Sequence, residues 1–221
     1  MSIEQQGYEI RKNLVPLKLL LKVLDELEND NPEISPRGIR QADKKLPAVQ
    51  AIVSQPEIVK TASDILQGEA RLVRVIVFDK NPEVNWSVSW HQDRTVAVSN
   101  KMELEGWGPW SVKEGIHHVQ PPLSVLEKMV TLRIHLDRAD EANGCLRVIP
   151  ASHKLGIINQ SNISANYGTQ AGVACMVDAG DTVIMRPHLL HRSKKATRAT
   201  HRRVIHAEYS TYRLPKGLSW V

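Results

Sequence analysis

The chain has 221 residues, of which 42% are hydrophobic and 24% charged. Such a chain suits one domain with a sizeable core and excludes a disordered or fibrous protein. Residues 1–6 are polar and give no secretory signal, and the most apolar stretch, 14–27, is interrupted by Lys18, Lys22, Asp25 and Glu26, which excludes a membrane span. Cys145 and Cys175 have neither metal-type nor redox spacing, so they read as reduced core residues of a cytoplasmic protein. The net charge of +5 is concentrated in the run 192–203, where Arg192, Lys194, Lys195, Arg198, Arg202 and Arg203 meet no acid. That run is either a solvated loop leading into a strand or an electropositive mouth for anionic small molecules. Nucleic acid is not an expected partner, because no nucleic-acid motif is present and the aromatics do not interleave with the bases.

The predicted elements begin with a helix over 14–29, in which Leu17, Leu20, Leu21, Leu24 and Leu27 share a face. Asn31-Pro32 should stop it, and Pro36-Arg37-Gly38 marks a loop. Further helices are expected over 46–53 and 56–66, the latter opened by Pro56 and closed near Gly68. The pattern then changes to β. Residues 72–78 are rich in β-branched side chains, 79–82 read as a turn, and 86–90 are extended. Gly106, Gly108 and Pro109 break a loop carrying Trp107 and Trp110. Residues 130–136 alternate as a strand, with Asn143-Gly144 as a hairpin-type turn and 145–149 as its return. The polar segment 156–172 reads as a loop or lid. A second hairpin is expected from 173–177 and 182–185 around Ala179-Gly180-Asp181, and 203–210 forms the last strand. One domain over 1–221 is expected, a helical prefix (1–68) packed outside a mainly β core (69–213).

The stretch with chemical content is Trp90-His91-Gln92-Asp93. On an extended segment, residues i and i+2 point the same way, so His91 and Asp93 can converge on one metal ion. Alone this means little, since chance yields about 0.4 His-x-Asp matches in such a chain. Pro187-His188-Leu189-Leu190-His191 follows the Gly180-Asp181 turn and its strand and offers a third ligand, His188 or His191. Two histidines and a carboxylate cover one face of an octahedral ion, the arrangement of non-haem Fe(II) oxygenases. Arg202 or Arg203 then supplies a guanidinium able to hold a carboxylate bidentately, and strand alternation allows only one of them to face inward.

Taken together, His91-Gln92-Asp93, the stretch Asn143-Gly144-Cys145-Leu146-Arg147-Val148-Ile149-Pro150-Ala151-Ser152-His153-Lys154, Gly180-Asp181-Thr182-Val183, and His191-x-Ser193 with Arg202 resemble the phytanoyl-CoA dioxygenase family over residues 72–210. The resemblance implies a double-stranded β-helix, a cupin-like jelly roll with N-terminal buttressing helices. It implies Fe(II) held by His91, Asp93 and His191, with His191 preferred to His188 because Ser193 and Arg202 stand at family spacing from it. It implies that Arg202, helped by Ser193, binds the distal carboxylate of 2-oxoglutarate, and that O2 is the second cosubstrate. The expected activity is a dioxygenase that hydroxylates an unactivated C–H bond of a small metabolite, with anionic ones among the expected substrates, releasing succinate and CO2. Asp93 makes hydroxylation the default, because halogenating relatives lack that carboxylate; desaturation and ring chemistry are alternatives. An oxygenase acting on nucleic acid or protein is a lesser reading. The competing class is a non-catalytic or differently catalytic cupin-like metal-binding protein, which would have little use for Arg202.

Three side chains are candidate substrate contacts. Arg133 departs from the apolar residue common on its strand; facing inward it would meet an anionic substrate or 2-oxoglutarate, and facing outward it would form a surface salt bridge. Trp107 and Trp110, on their Gly-broken loop, are candidate pocket residues, with core packing as the alternative. His117, His118, His153, His201 and His206 have no ligand spacing and read as structural or exposed.

Overall fold

The computed structural model describes residues 2–29 and 38–221, so the expected features at Asn31-Pro32 and Pro36-Arg37 lie outside the described residues. The chain opens with α1 (Ile3–Gln6) and β1 (Tyr8–Arg11), then α2 (Leu17–Glu28). Pro16 is the N-cap of α2, which is why the helix begins three residues later than its apolar pattern. Its buried face is also narrower than expected. Leu20 and Val23 are buried, Leu24 and Leu27 pack partly, and Leu17 and Leu21 are exposed. There follow β2 (Ile39–Arg40), α3 (Ala42–Lys45), α4 (Pro47–Val53) and α5 (Pro56–Leu66). Proline at the first turn starts both α4 and α5, where its missing N–H leaves no helix bond unmade.

The β part comprises β3 (Arg71–Lys80), β4 (Val88–His91), β5 (Val96–Val98), β6 (Trp110–Lys113), β7 (Ile116–Val119), a short α6 (Leu123–Leu126), β8 (Met129–His135) and β9 (Leu146–Val148). After a 3-10 turn, Ser152–Leu155, come α7 (Gln160–Tyr167), β10 (Val173–Cys175), β11 (Thr182–Met185), β12 (His191–Ser193) and β13 (Arg202–Ser210). Among the described residues the strands form three antiparallel sheets: a major sheet β1-β11-β8-β13-β3-β2, a minor sheet β10-β9-β12-β4, and a small one β5-β7-β6. This mainly β architecture is a double-stranded β-helix. No helix among the described residues is long and apolar enough to cross a membrane.

Four expectations need correction. Asn143-Gly144 does not close a hairpin, because β8 belongs to the major sheet and β9 to the minor one. The turn at 179–181 likewise joins β10 of the minor sheet to β11 of the major. Both are corners at which the chain changes sheet, and turn chemistry alone does not distinguish a corner from a hairpin. At the first of them, Gly144 takes φ 73°, and a Cβ there would stand 2.4 Å from the Lys194 carbonyl oxygen. The segment 156–172 is not an open loop. It contains α7, anchored by fully buried Ile163 against Trp90 and Leu190. A single buried residue leaves no apolar stripe for the sequence to display. Finally, the expected turn at 79–82 begins later, because β3 continues to Lys80, which pairs with Arg202.

The helices cover one face of the major sheet. Val75, Val77, Leu132, Ile134, Ile184, Ile205 and Ala207 pack there against Val49, Ile52, Ile58 and Ala62. Each fully buried aliphatic side chain stabilises the fold by about 1.5–3 kcal/mol. The alternate residues of the same strands face the barrel interior, toward the minor sheet.

Candidate metal centre

β4 and β12 are antiparallel neighbours in the minor sheet, and their register sets His191 directly opposite His91. The two imidazole centroids lie 4.1 Å apart. Asp93 follows β4 by two residues, and its backbone N–H donates to the Pro187 carbonyl at 2.9 Å. Its carboxylate stands between the rings: Oδ1 is 3.7 Å from His91 Nε2 and Oδ2 is 3.4 Å from His191 Nε2. Each Nδ1 lies 2.9 Å from the carbonyl two residues earlier in the chain, that of Ser89 for His91 and of Leu189 for His191. A carbonyl can only accept, so each Nδ1 carries a proton and each Nε2 is the nitrogen turned toward Asp93. Ligand atoms of all three residues lie within 4.8 Å of one another.

The electrostatics suit a cation. Burial would push the Asp93 carboxyl up, but the positive charge around it, that of Arg74 included, holds it well below the usual carboxylate range. Asp93 Oδ2 is a buried atom with no hydrogen-bond partner. Burial pushes the His191 imidazole down to about 3, leaving it neutral. An ionised carboxylate with a bare oxygen and two imidazole Nε2 atoms aimed at one point fit a divalent metal of the Fe(II) type.

Gln92, between the two candidate ligands, points the other way. Its Nε2 donates to the carbonyls of Gly156 and His188, both at 2.7 Å, and its Oε1 accepts from the Ile158 N–H at 2.9 Å. His188, the competitor of His191, is turned away. Its ring neighbours His153 at 6.1 Å and lines a different cavity.

Arg202 opens β13 on the barrel face. It is buried, and its Nε and Nη1 have no partner. Burial first and Arg133 next lower its guanidinium to about 10. Across the ladder stands Lys80, whose ammonium donates to the Lys194 carbonyl at 2.6 Å and approaches Ser193 Oγ at 3.4 Å. Burial, then the charges of Arg202 and Arg133, push Lys80 down to about 7. Arg203 faces out and makes a bidentate pair with Asp137, 2.9 Å per bond. Alternation thus separates the two arginines as strand geometry requires.

Arg133 faces inward and forms no surface salt bridge. Its Nη1 donates to His206 Nδ1 at 2.8 Å, and its buried Nε has no partner. His206, read from the sequence as structural or exposed, is buried. It lies in the barrel, with Nε2 3.0 Å from Glu208 Oε1 and 3.9 Å from Asp93 Oδ2. Glu208 in turn pairs with half-buried Arg74. The signal was parity: Arg202, Val204, His206 and Glu208 share one face of β13. Asp93, His206 and Glu208 are close enough to suggest a second metal group. However, a guanidinium only donates, so His206 Nδ1 must accept and its proton sits on Nε2, donated to Glu208. The group is therefore a hydrogen-bonded chain and not a ligand set.

These residues surround a cavity of about 210 Å³ whose lining includes His91, Asp93, His191, Ser193 and Arg202. The tryptophan in its wall is Trp86. Trp107 and Trp110 do not line it; they pack with Val96, Val98 and Val119 around the small sheet.

The family model described as "Phytanoyl-CoA dioxygenase (PhyH)" matches residues 21–204. No curated protein matches the chain in sequence. Among solved structures, AviO1 from Streptomyces viridochromogenes Tue57 superposes with TM-score 0.71 at 18% identity, over 96% of this chain and 93% of that one. The epimerase SnoN in complex with Fe3+, alpha ketoglutarate and nogalamycin RO gives TM-score 0.71 at 13% identity, over 99% of this chain and 82% of its own. HygX from Streptomyces hygroscopicus with nickel and 2-oxoglutarate bound gives 0.66 at 12%, over 94% and 83%. At these identities the likeness is one of fold.

Proposed function

The chain belongs to the phytanoyl-CoA dioxygenase family, and on that premise we propose that it is an Fe(II)- and 2-oxoglutarate-dependent oxygenase that hydroxylates an unactivated C–H bond of a small metabolite, releasing succinate and CO2. The family uses Fe(II), 2-oxoglutarate and O2. The observation that carries the reading is a pair of buried, unsatisfied groups of opposite sign in one cavity: Asp93 Oδ2 on one side, Arg202 Nε and Nη1 on the other. Such groups are expensive to bury unpaired, so each implies a ligand. A cation answers the first and a carboxylate the second.

In this reading His91, Asp93 and His191 hold the iron. Arg202 binds the distal carboxylate of 2-oxoglutarate, with Ser193 as hydrogen-bond partner and Lys80 as a second positive charge. Bound iron, together with 2-oxoglutarate and O2, supplies the oxidising power for C–H cleavage. The protein's own contribution is position and exclusion of water. The Ser89 and Leu189 carbonyls orient the imidazoles, and the His206–Glu208–Arg74 chain sets the barrel wall facing Asp93. Arg133, between Arg202 and His206, adds positive potential on the substrate side. Hydroxylation is the preferred outcome; SnoN is described as an epimerase, so the fold admits other outcomes.

The metal-binding protein without 2-oxoglutarate chemistry is the alternative, and the unpartnered Arg202 argues against it. Anaerobic protein given Fe(II) and 2-oxoglutarate should develop a weak visible charge-transfer band, absent in His91→Ala, and should form succinate once oxygen is admitted. Absence of both the band and succinate would overturn the proposal.

A further inference from the structure

With the cosubstrate seated as proposed above, the cavity still carries positive charge that nothing matches. Arg40, Arg74, Lys113, Arg133, Arg192 and Arg202 line it, against a single lining acid, Asp93. Glu208 answers Arg74, the metal answers Asp93, and the distal carboxylate answers Arg202. Arg133 has only a neutral histidine for a partner. Lys113, exposed on the rim, has no acid within ion-pair distance among the described residues. Burial first, then the charges of Arg40 and Arg74, hold its ammonium below the ordinary lysine value. Arg40 meets Glu114 at 3.0 Å, but that carboxylate is 58% exposed, and a bound anion can displace so exposed a partner.

The register gives this charge a location. Arg40 stands opposite Ile76, Arg74 opposite Glu208, and Lys80 opposite Arg202. Along β3, at roughly 3.3 Å per residue, the Arg202 level therefore lies about 20 Å from Arg74 and about 13 Å from Arg40. His206, whose Nε2 is 3.9 Å from Asp93 Oδ2, also pairs with Ile76, so Arg40 on edge strand β2 stands level with it across β3. The candidate metal centre thus faces a cavity with Arg202 toward one end and Arg40 on its edge-strand side.

We infer that the substrate oxidised at this centre is a small oxyanion, a carboxylate or a phosphate monoester, whose charged end docks between Arg40 and Lys113 and whose C–H bond extends from there toward Asp93. The inference rests on the oxygenase reading for what happens to the substrate, but the anion site itself does not need the metal.

The test uses three probes of similar size: phenylacetate, phenyl phosphate and the neutral phenylacetamide. Their binding is measured by calorimetry, both to metal-free protein and to anaerobic protein loaded with Fe(II) and 2-oxoglutarate. At least one anionic probe should bind about tenfold more tightly than the amide, as one charged hydrogen bond allows, and which anion wins separates the carboxylate from the phosphate source. The preference should fall in Arg40→Gln/Lys113→Gln, return when Arg40→Lys carries the charge in place of Arg40→Gln, and persist in Arg202→Gln. Equal binding of the amide overturns the proposal, as does failure of all three probes to bind. So does a preference that survives Arg40→Gln/Lys113→Gln and disappears in Arg202→Gln, since the anion would then occupy the cosubstrate end. If metal-free protein shows the expected pattern while Fe(II) and 2-oxoglutarate produce no visible band, the anion site stands and the oxygenase reading falls. If the band forms without any anion preference, the oxygenase reading stands and the anion site falls.

Discussion

The two faces of the major sheet are built from the same strands and have opposite characters. Toward the helices, β3 and β13 present Val75, Val77, Ile205 and Ala207, all buried and apolar. Toward the barrel interior, residues one step along present half-buried Arg74 and buried Lys80, Arg202, His206 and Glu208. The first face gains stability from every side chain. The second holds cations whose desolvation lowers Lys80 to about 7 and Arg202 to about 10. A sheet that needed only to fold would have no use for that second set. The contrast identifies the interior as a binding surface before any ligand is considered.

The largest test of the contrast is Asp93→Ala, which should abolish metal binding and succinate formation while the protein still melts cooperatively. Metal titration and calorimetry check both halves, and retained metal binding would break the assignment. Next is Glu208→Ala. It leaves half-buried Arg74 without its counter-charge and His206 Nε2 without its acceptor, and should destabilise the protein by about 3 kcal/mol in urea unfolding. Ile205→Ala, on the helix side, should lose about 2–4 kcal/mol through its cavity, with the 2-oxoglutarate dissociation constant of the folded protein unchanged. A shift in that constant would mean that the two faces are not independent. Arg202→Met should do the reverse: it should raise the melting temperature while weakening 2-oxoglutarate by about 1.5–3 kcal/mol, the worth of a hydrogen bond to a charged group, and leave iron affinity nearly intact.

Lys80 provides the most specific test. Its folded value, about 7, lies below the 10.5 of an unperturbed lysine. Between those limits the unfolded chain holds a proton that the folded one has released, so this group makes stability rise with pH across that window. Lys80→Met should therefore stabilise most below pH 7 and progressively less toward pH 10.5. Denaturant midpoints at three pH values measure this, and a stabilisation that grows with pH would contradict it.

Much of this was legible in the sequence because side-chain chemistry and spacing carried it. His91, Asp93, His191 and Arg202 meet in the cavity, and the helices over 46–53 and 56–66 are present, opened by Pro47 and Pro56. What was not legible depended on which surface a strand faces and which sheet it joins. His206 and Glu208 sit in an ordinary alternating strand, and only the knowledge that its even positions face a polar interior makes them part of the site. The glycine turns at 143–144 and 179–181 look like hairpins because a corner between sheets uses the same backbone conformations. Trp107 and Trp110 show the converse. Their glycine-broken loop suggested a pocket, but their bulk is spent packing the small sheet.

The side chain of Gln92 has an implication for how the motif is held in place. Its amide gives two N–H bonds to carbonyls and takes one from a backbone N–H. Glutamate at this position would set a carboxylate against the Gly156 and His188 carbonyls, and an aliphatic side chain would leave three buried backbone groups unanswered. The middle residue of His91-Gln92-Asp93 is therefore not free in this chain, although its side chain does not face the candidate metal centre: a primary amide answers two carbonyls and a backbone N–H at once, and so ties the motif to the Gly156–Ile158 segment and to the turn before His191.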